Sequence, residues 1–296
     1  MRARKVGVEP RLRASWEPFG SSGGTLQGAL GLFRQSVVGT SDMRDVSSFF
    51  VAWLNAPDGV PLEAVHGVLG WQQTLGNDLR WSVDGYYKKM KGIPVPIWRA
   101  GTQFTTDLGR ADGEAYGGDL RVEYTKPGFY GFLGYGYSRT LYEASQAEFS
   151  SWFGEPVQSY HPPHDRRHQV NAIASMDIAG FKASVRWQFG SGLPYTRPMG
   201  FDEAFDFAKN LHDVHTNVGT TRLVLDKPFT GRLPMMHRLD ASLEREFEVS
   251  FGQVLLQAGL INAYDRRNMF YFDLFTGRRL DQLPLTPYAS VTLRSR

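Results

Sequence analysis

Apolar and polar residues alternate over long stretches of this chain. From 181 to 189, Phe181, Ala183, Val185, Trp187 and Phe189 fall on one face, and Lys182, Ser184, Arg186 and Gln188 fall on the other. Period 2 over nine residues is a strand signal. The Ala179-Gly180 link to a second alternating run at 167–178 predicts a tight hairpin. The same alternation sets Leu239, Ala241 and Leu243 against Arg238, Asp240, Ser242, Glu244 and Glu246. It also sets Leu79, Trp81 and Val83 against Arg80, Ser82 and Asp84, and Tyr116, Leu120, Val122 and Tyr124 against Asp119, Arg121 and Glu123. Arg, Asp and Glu gathered on one face require water there, so the apolar face is expected to meet lipid and the charged face a wet lumen. The run FYGFLGYGYSRTLY at 129–142 is apolar on both sides, and the pattern does not orient it.

Eleven strands follow from this pattern, near 9–18, 24–35, 64–75, 78–90, 114–125, 129–142, 167–178, 181–190, 236–247, 250–262 and 285–294. Most run 9 to 14 residues, against about 5–6 in soluble proteins. Ten residues at about 3.3 Å each, tilted about 45°, rise roughly 23 Å, the height of an outer-membrane barrel's apolar band. Connections alternate strictly. Short links (GSSGG, GN, KPG, AG, EVS) follow the odd strands, and long loops at 36–63, 91–113, 143–166, 191–235 and 263–284 follow the even ones. Short turns at one rim and long loops at the other are the layout of outer-membrane barrels. Helical spacing of Val46, Phe49, Phe50, Trp53 and Leu54, and of Phe201, Phe205, Ala208 and Leu211, predicts short amphipathic helices in two of the long loops.

Composition narrows the class. The 296 residues are 42% hydrophobic and 21% charged, which argues against disorder. Formal net charge is +3 and no Lys/Arg run is interleaved with aromatics, so nucleic acid is not an expected partner. Cysteine is absent, which removes disulfides and thiolate metal sites. No run of eighteen apolar residues exists to form a membrane-crossing helix.

Several segments, taken in order, resemble the C-terminal barrel of TonB-dependent outer-membrane receptors: EPRLRASWEPFGSSGGTLQGALGLFRQ, LGWQQTLGNDLRWSVDGYYKKMKGIPV, GEAYGGDLRVEY, HDRRHQVN, HRLDASLEREF, LINAYDRRNMFYFD and QLPLTPYASVTL. The resemblance implies an all-β fold. It is a transmembrane antiparallel meander of about eleven strands, the C-terminal half of a 22-stranded outer-membrane β-barrel spanning 1–296. It implies TonB-dependent uptake of a large or scarce solute of the siderophore, cobalamin, oligosaccharide or peptide class, in the bacterial outer membrane. The implied partners are outer-membrane lipid, an N-terminal plug with the remaining strands, and TonB acting through that region. The plug and a signal peptide are expected to lie outside this sequence, and the VTLRSR end departs from the usual terminal aromatic residue. An open sheet in hydrocarbon leaves unsatisfied backbone groups on two edges, so further strands are expected. A self-associating passive channel or adhesin is the alternative, and a soluble all-β enzyme or lectin a third reading.

Candidate chemistry is sparse. GSSGG at 20–24 fits Gly-x-Ser-x-Gly, but a strand follows where a nucleophile elbow needs a helix. No carboxylate pair stands out, and neither enzymatic activity nor a cofactor is expected. His161, His164 and His168, with His212 and His215, are spaced as imidazole ligands, although prolines exclude a helix presenting the first group. A rim role is the expectation for them, as it is for Asn262, Asp265, Arg266, Arg267 and Asn268. Ligand contact is expected first at aromatic and cationic residues of the long loops: Trp98, Tyr195, Arg197 and His212.

Overall fold

The computed structural model describes residues 7–20, 23–41, 51–99, 107–204, 220–250 and 252–295. Eleven strands form one antiparallel meander: β1 (Arg11–Trp16), β2 (Thr25–Gln35), β3 (Leu62–Leu75), β4 (Leu79–Pro96), β5 (Leu108–Lys126), β6 (Phe129–Ser145), β7 (His168–Ile178), β8 (Phe181–Gly190), β9 (Met236–Val249), β10 (Gly252–Ile261) and β11 (Thr286–Ser295). Each pairs with its sequence neighbour, and β1 and β11 are the two open edges among the described residues. The eleven strands correspond one to one with the alternating runs of the sequence.

The tight turns have local causes. Ala179 (φ 51°) and Gly180 (φ 78°) both lie in the left-handed region, as a two-residue hairpin with the primed twist requires. At the β5–β6 link, Pro127 fixes its own φ and Gly128 supplies the positive φ (76°) that such a turn needs next.

Register aligns the faces. One row of paired residues runs Trp16, Leu26, Trp71, Val83, Leu120, Tyr135, Val170, Phe189 and His237. It begins at the short-turn end of β1 and finishes at the long-loop end of β9. Eight steps of about 4.8 Å make about 38 Å across the strands, and His237 to Phe247 is about 33 Å back along β9, so the strands tilt by about 40°. The register also orients β6. Leu133, Tyr135 and Tyr137 join the apolar face, while Phe132, Gly134, Gly136 and Ser138 join the polar one.

Two elements depart from the sequence expectation. Val51–Asn55 is a strand paired with Val37–Ser41, and Pro198–Ala204 is a strand paired with Thr220–Leu225. Neither stretch is helical, because a partner strand captures the backbone and tertiary pairing overrides the apolar spacing. The rest of both expected helices (42–50 and 205–213) lies outside the described residues. An α-helix among the described residues, α1 (Ala147–Phe153), sits in the loop after β6. The loop expected over 91–113 is entered from both sides, since β4 and β5 continue as a ribbon to Pro96 and Leu108 beyond a bulge between Met90 and Ile93. There β4 has lost β3, whose pairing stops at Glu63↔Lys91. Its free edge tolerates Pro94 and Pro96, the residues that break the sequence pattern.

The core lies at the long-loop end. Ala64, Met90, Ile93, Val95, Ala111 and Ala144 continue the polar face upward, but they are apolar and buried. Trp98, Phe149, Leu223, Leu225 and Leu274 from four different loops cover them.

Ala179 occupies a left-handed position that costs a non-glycine residue about 1–2 kcal/mol. Ala179→Asn, which keeps a Cβ but suits this turn, is expected to stabilise the β7–β8 hairpin by about 0.5–1 kcal/mol. Denaturant-induced unfolding of the detergent-folded chain reads this, and an unchanged midpoint contradicts it.

Candidate functional site

The polar face carries the charge of the sheet. One row runs Gln27, Gly70, Asp84, Asp119, Gly136 and Gln169. The next runs Ser82, Arg121, Gly134, Asn171, Gln188 and Arg238. Asp84 and Asp119 stand directly opposite each other, 35 positions apart in sequence, so no local motif could pair them. Like charges in opposed positions destabilise a sheet. The flanking Gly70 and Gly136 give the two carboxylates room, since a Cβ at either would meet the nearer Asp Oδ1. Gly134 and Gly136 leave a trough of about 390 Å³ between Asp119 and Arg121 on one side and Gln169 and Asn171 on the other.

At the long-loop end, Asp165 is a hub. Its side chain is 0% exposed. The Thr140 N–H donates to Oδ1 at 2.8 Å, and Arg232 donates to Oδ2 at 2.5 Å, with Arg167 at 3.4 Å. Arg232 also donates to the carbonyls of Asp165 (3.1 Å) and Gly192 (3.0 Å). One carboxylate thereby ties the end of β6 to the loop before β7 and to the loop between β8 and β9. Burial alone would raise the Asp165 pKa, but the Thr140 N–H and Arg232 outweigh it and hold the carboxyl below its ordinary value.

The histidines of HPPHDRRH do not converge. His161 Nδ1 donates to the Thr140 carbonyl (2.5 Å) and Nε2 accepts from Arg167 (2.9 Å), which assigns a neutral Nδ1–H tautomer. His164 packs edge-on against Tyr142, and His168 Nδ1 meets the Tyr135 hydroxyl at 2.9 Å. Among the described residues no group of three or more His, Asp or Glu is placed to hold a metal ion. His212 and His215 lie outside the described residues.

Trp98 is core, 1% exposed, with its ring 4.7 Å from Phe153. Its backbone N–H donates to Gln146 Oε1 at 2.7 Å, and among the described residues its indole Nε1 has no hydrogen-bond partner. Tyr195 is partly buried, paired with Gly231 and packed against the same core. Arg197 is exposed. The structure therefore brings Trp98 and Tyr195 to one cluster and leaves Arg197 at the surface.

The rim motif NAYDRRN is architectural. Asn262, buried with φ 56°, donates to the carbonyls of Arg266 and Leu283 (2.9 and 3.0 Å) and accepts from the Arg266 N–H. Asn268 exchanges two hydrogen bonds with the His237 backbone. Asp265 Oδ1 accepts from the Leu285 N–H.

Among solved structures, the ferric-catecholate import receptor Fiu of E. coli K12, in its closed form, is similar, with a TM-score of 0.58 at 11% sequence identity. The likeness covers 96% of this chain and 34% of that receptor, so this chain spans about a third of its length. At this identity it shows the fold, a stretch of all-β barrel wall. No protein-family model matches the sequence, and no curated protein matches it.

Asp165→Asn is expected to loosen the cap by about 3 kcal/mol, because two arginines then face a buried neutral amide. Limited trypsin digestion should cut within 191–235 sooner, with the short-turn hairpins unaffected. Acid should act in the same direction. The His164 pKa is lowered by burial and by Lys88, against the opposing pull of Asp165. Its contribution is complete above the ordinary value of 6.5 and is lost as pH falls through the lowered one. Asp165, also lowered, adds its own loss only below its ordinary 3.8. His164→Asn should abolish the first acid step in a pH series of digestion rates and leave the second.

Proposed function

We propose that this chain is barrel wall from a TonB-dependent outer-membrane receptor, which takes up a large or scarce solute through a lumen lined by the polar face. The carrying observation is the organisation of the apolar face. Trp16, Trp71, Trp81, Tyr124, Phe129, Phe181 and Phe247 track the short turns, and Tyr87, Tyr116, Tyr137, Phe189 and His237 track the long loops. Tyr116 to Tyr124 and Phe181 to Phe189 each span eight residues, which at a 40° tilt is about 20 Å of height. Apolar bands of about 25 Å between two aromatic girdles belong to outer-membrane barrels. The charged rows opposite suit a water-filled passage for a polar solute.

Strand direction supports completion by further strands over self-association. Strands β1 and β11 both run toward the short-turn rim, as the first and last of an odd-numbered meander must. Two copies in one membrane orientation would meet edge to edge in parallel. Closure that stays antiparallel throughout needs an odd number of additional strands, and eleven would give the 22 of the receptor class.

The test is spin labelling of single-cysteine variants at positions 182 to 189 of the chain in outer-membrane vesicles. Accessibility to oxygen should peak at 183, 185, 187 and 189, and accessibility to a water-soluble nickel chelate at 182, 184, 186 and 188. Equal accessibility along the strand sinks the membrane reading. A source locus encoding an even number of neighbouring strands sinks the completion argument.

A further inference from the structure

Arg166 stands apart from the other arginines of its loop. Its side chain is partly buried, and among the described residues it makes no hydrogen bond and no ion pair. The adjacent Asp165 is already engaged by Arg167 and Arg232. Burial lowers the Arg166 pKa, yet a guanidinium stays charged. A half-buried guanidinium with no anion beside it among the described residues is a contact that an incoming anion completes.

Arg166 lines a cavity of about 220 Å³ between three loops. Leu193, Leu233, Met236, Met269 and Phe272 form its apolar walls, and Ser191 and Gln282 add polar groups. Ser191 Oγ accepts the His168 N–H at 3.0 Å, which leaves its own proton to donate. Gly190 makes the placement possible, because a Cβ there would collide with the end of the Arg166 side chain. The cavity is below the ~300–1,000 Å³ of drug-sized sites, so it suits a small molecule or one end of a larger one. Bare phosphate would gain nothing from the apolar walls. A planar carboxylate matches the guanidinium fork, and a flat apolar body matches the thioethers and the ring.

We propose that this loop pocket binds the carboxylate of a small aromatic acid, with Arg166 as its anchor. It requires only that the three loops fold as described, so it stands or falls separately from the transport reading.

Calorimetric titration of the full chain, folded in detergent, tests this with benzoate, with neutral benzyl alcohol and with inorganic phosphate. Benzoate should bind best, and Arg166→Met should weaken it by about tenfold or more, the worth of a charge-assisted contact. Gly190→Ala keeps the guanidinium but displaces it, and should also weaken benzoate. It carries the test if the Met variant does not fold. Benzyl alcohol should be indifferent to both changes. Equal benzoate affinity across the folded proteins overturns the proposal, as does failure of benzoate to bind the folded parent at millimolar concentration. Phosphate binding as tightly as benzoate overturns the aromatic-acid assignment.

Discussion

Backbone hydrogen bonding is the constraint on which this structure depends. In hydrocarbon there is no water to satisfy an N–H or C=O, so a sheet that crosses it must pair every strand on both sides. Among the described residues the meander meets this internally from β2 to β10 and leaves β1 and β11 open. For a wall set in the outer membrane, as proposed, strand length, tilt and the sorting of short and long connections follow from spanning one slab of fixed thickness. The parity of strand direction at the two edges is a consequence as well, and it decides what kind of partner can close the wall.

A second division runs along the strands. Near the short turns and at mid-height, the inner face is charged and the outer face apolar. Above Met90 and Ala111 the inner face turns apolar and is buried under the loops. The same strands therefore meet two environments, and the change marks where the charged face ends and the loop cap begins. Asp165 holds that cap because a buried carboxylate must be fully satisfied, and the groups that satisfy it come from separate segments. Arg166, the next residue, has no such partner among the described residues. A neighbouring pair of one structural and one unsatisfied charge thus separates the architecture of the loops from their capacity to bind.

The polar face shows the same separation. Most of its charges are dispersed among Ser, Gln and Asn, as water-facing positions permit. Asp84 and Asp119 are placed against each other by register, and glycines on either side keep the arrangement tolerable. Neither residue is conspicuous in the sequence, because period-2 alternation assigns a face without assigning a neighbour.

The sequence by itself determined the number of strands, their faces and the sorting of connections. Alternation at Phe181–Phe189 or Leu239–Leu243 is a local consequence of the pleat and needs no partner to be read. It could not orient Phe129–Tyr142, where both faces are apolar and glycine-rich, until Leu133 paired with Val122 and Ala172. It misassigned Val51–Asn55 and Phe201–Ala204 as helix, since spacing of large apolar residues over one or two turns also fits a strand whose mate lies elsewhere in the loop. The histidines of HPPHDRRH, close in sequence, were sent to three different neighbours by the fold, while Arg166 and Met269, distant in sequence, were brought to one cavity. Periodicity is written in the chain because the backbone repeats. Contacts between loops depend on the register of the whole sheet, and only the tertiary structure decides those.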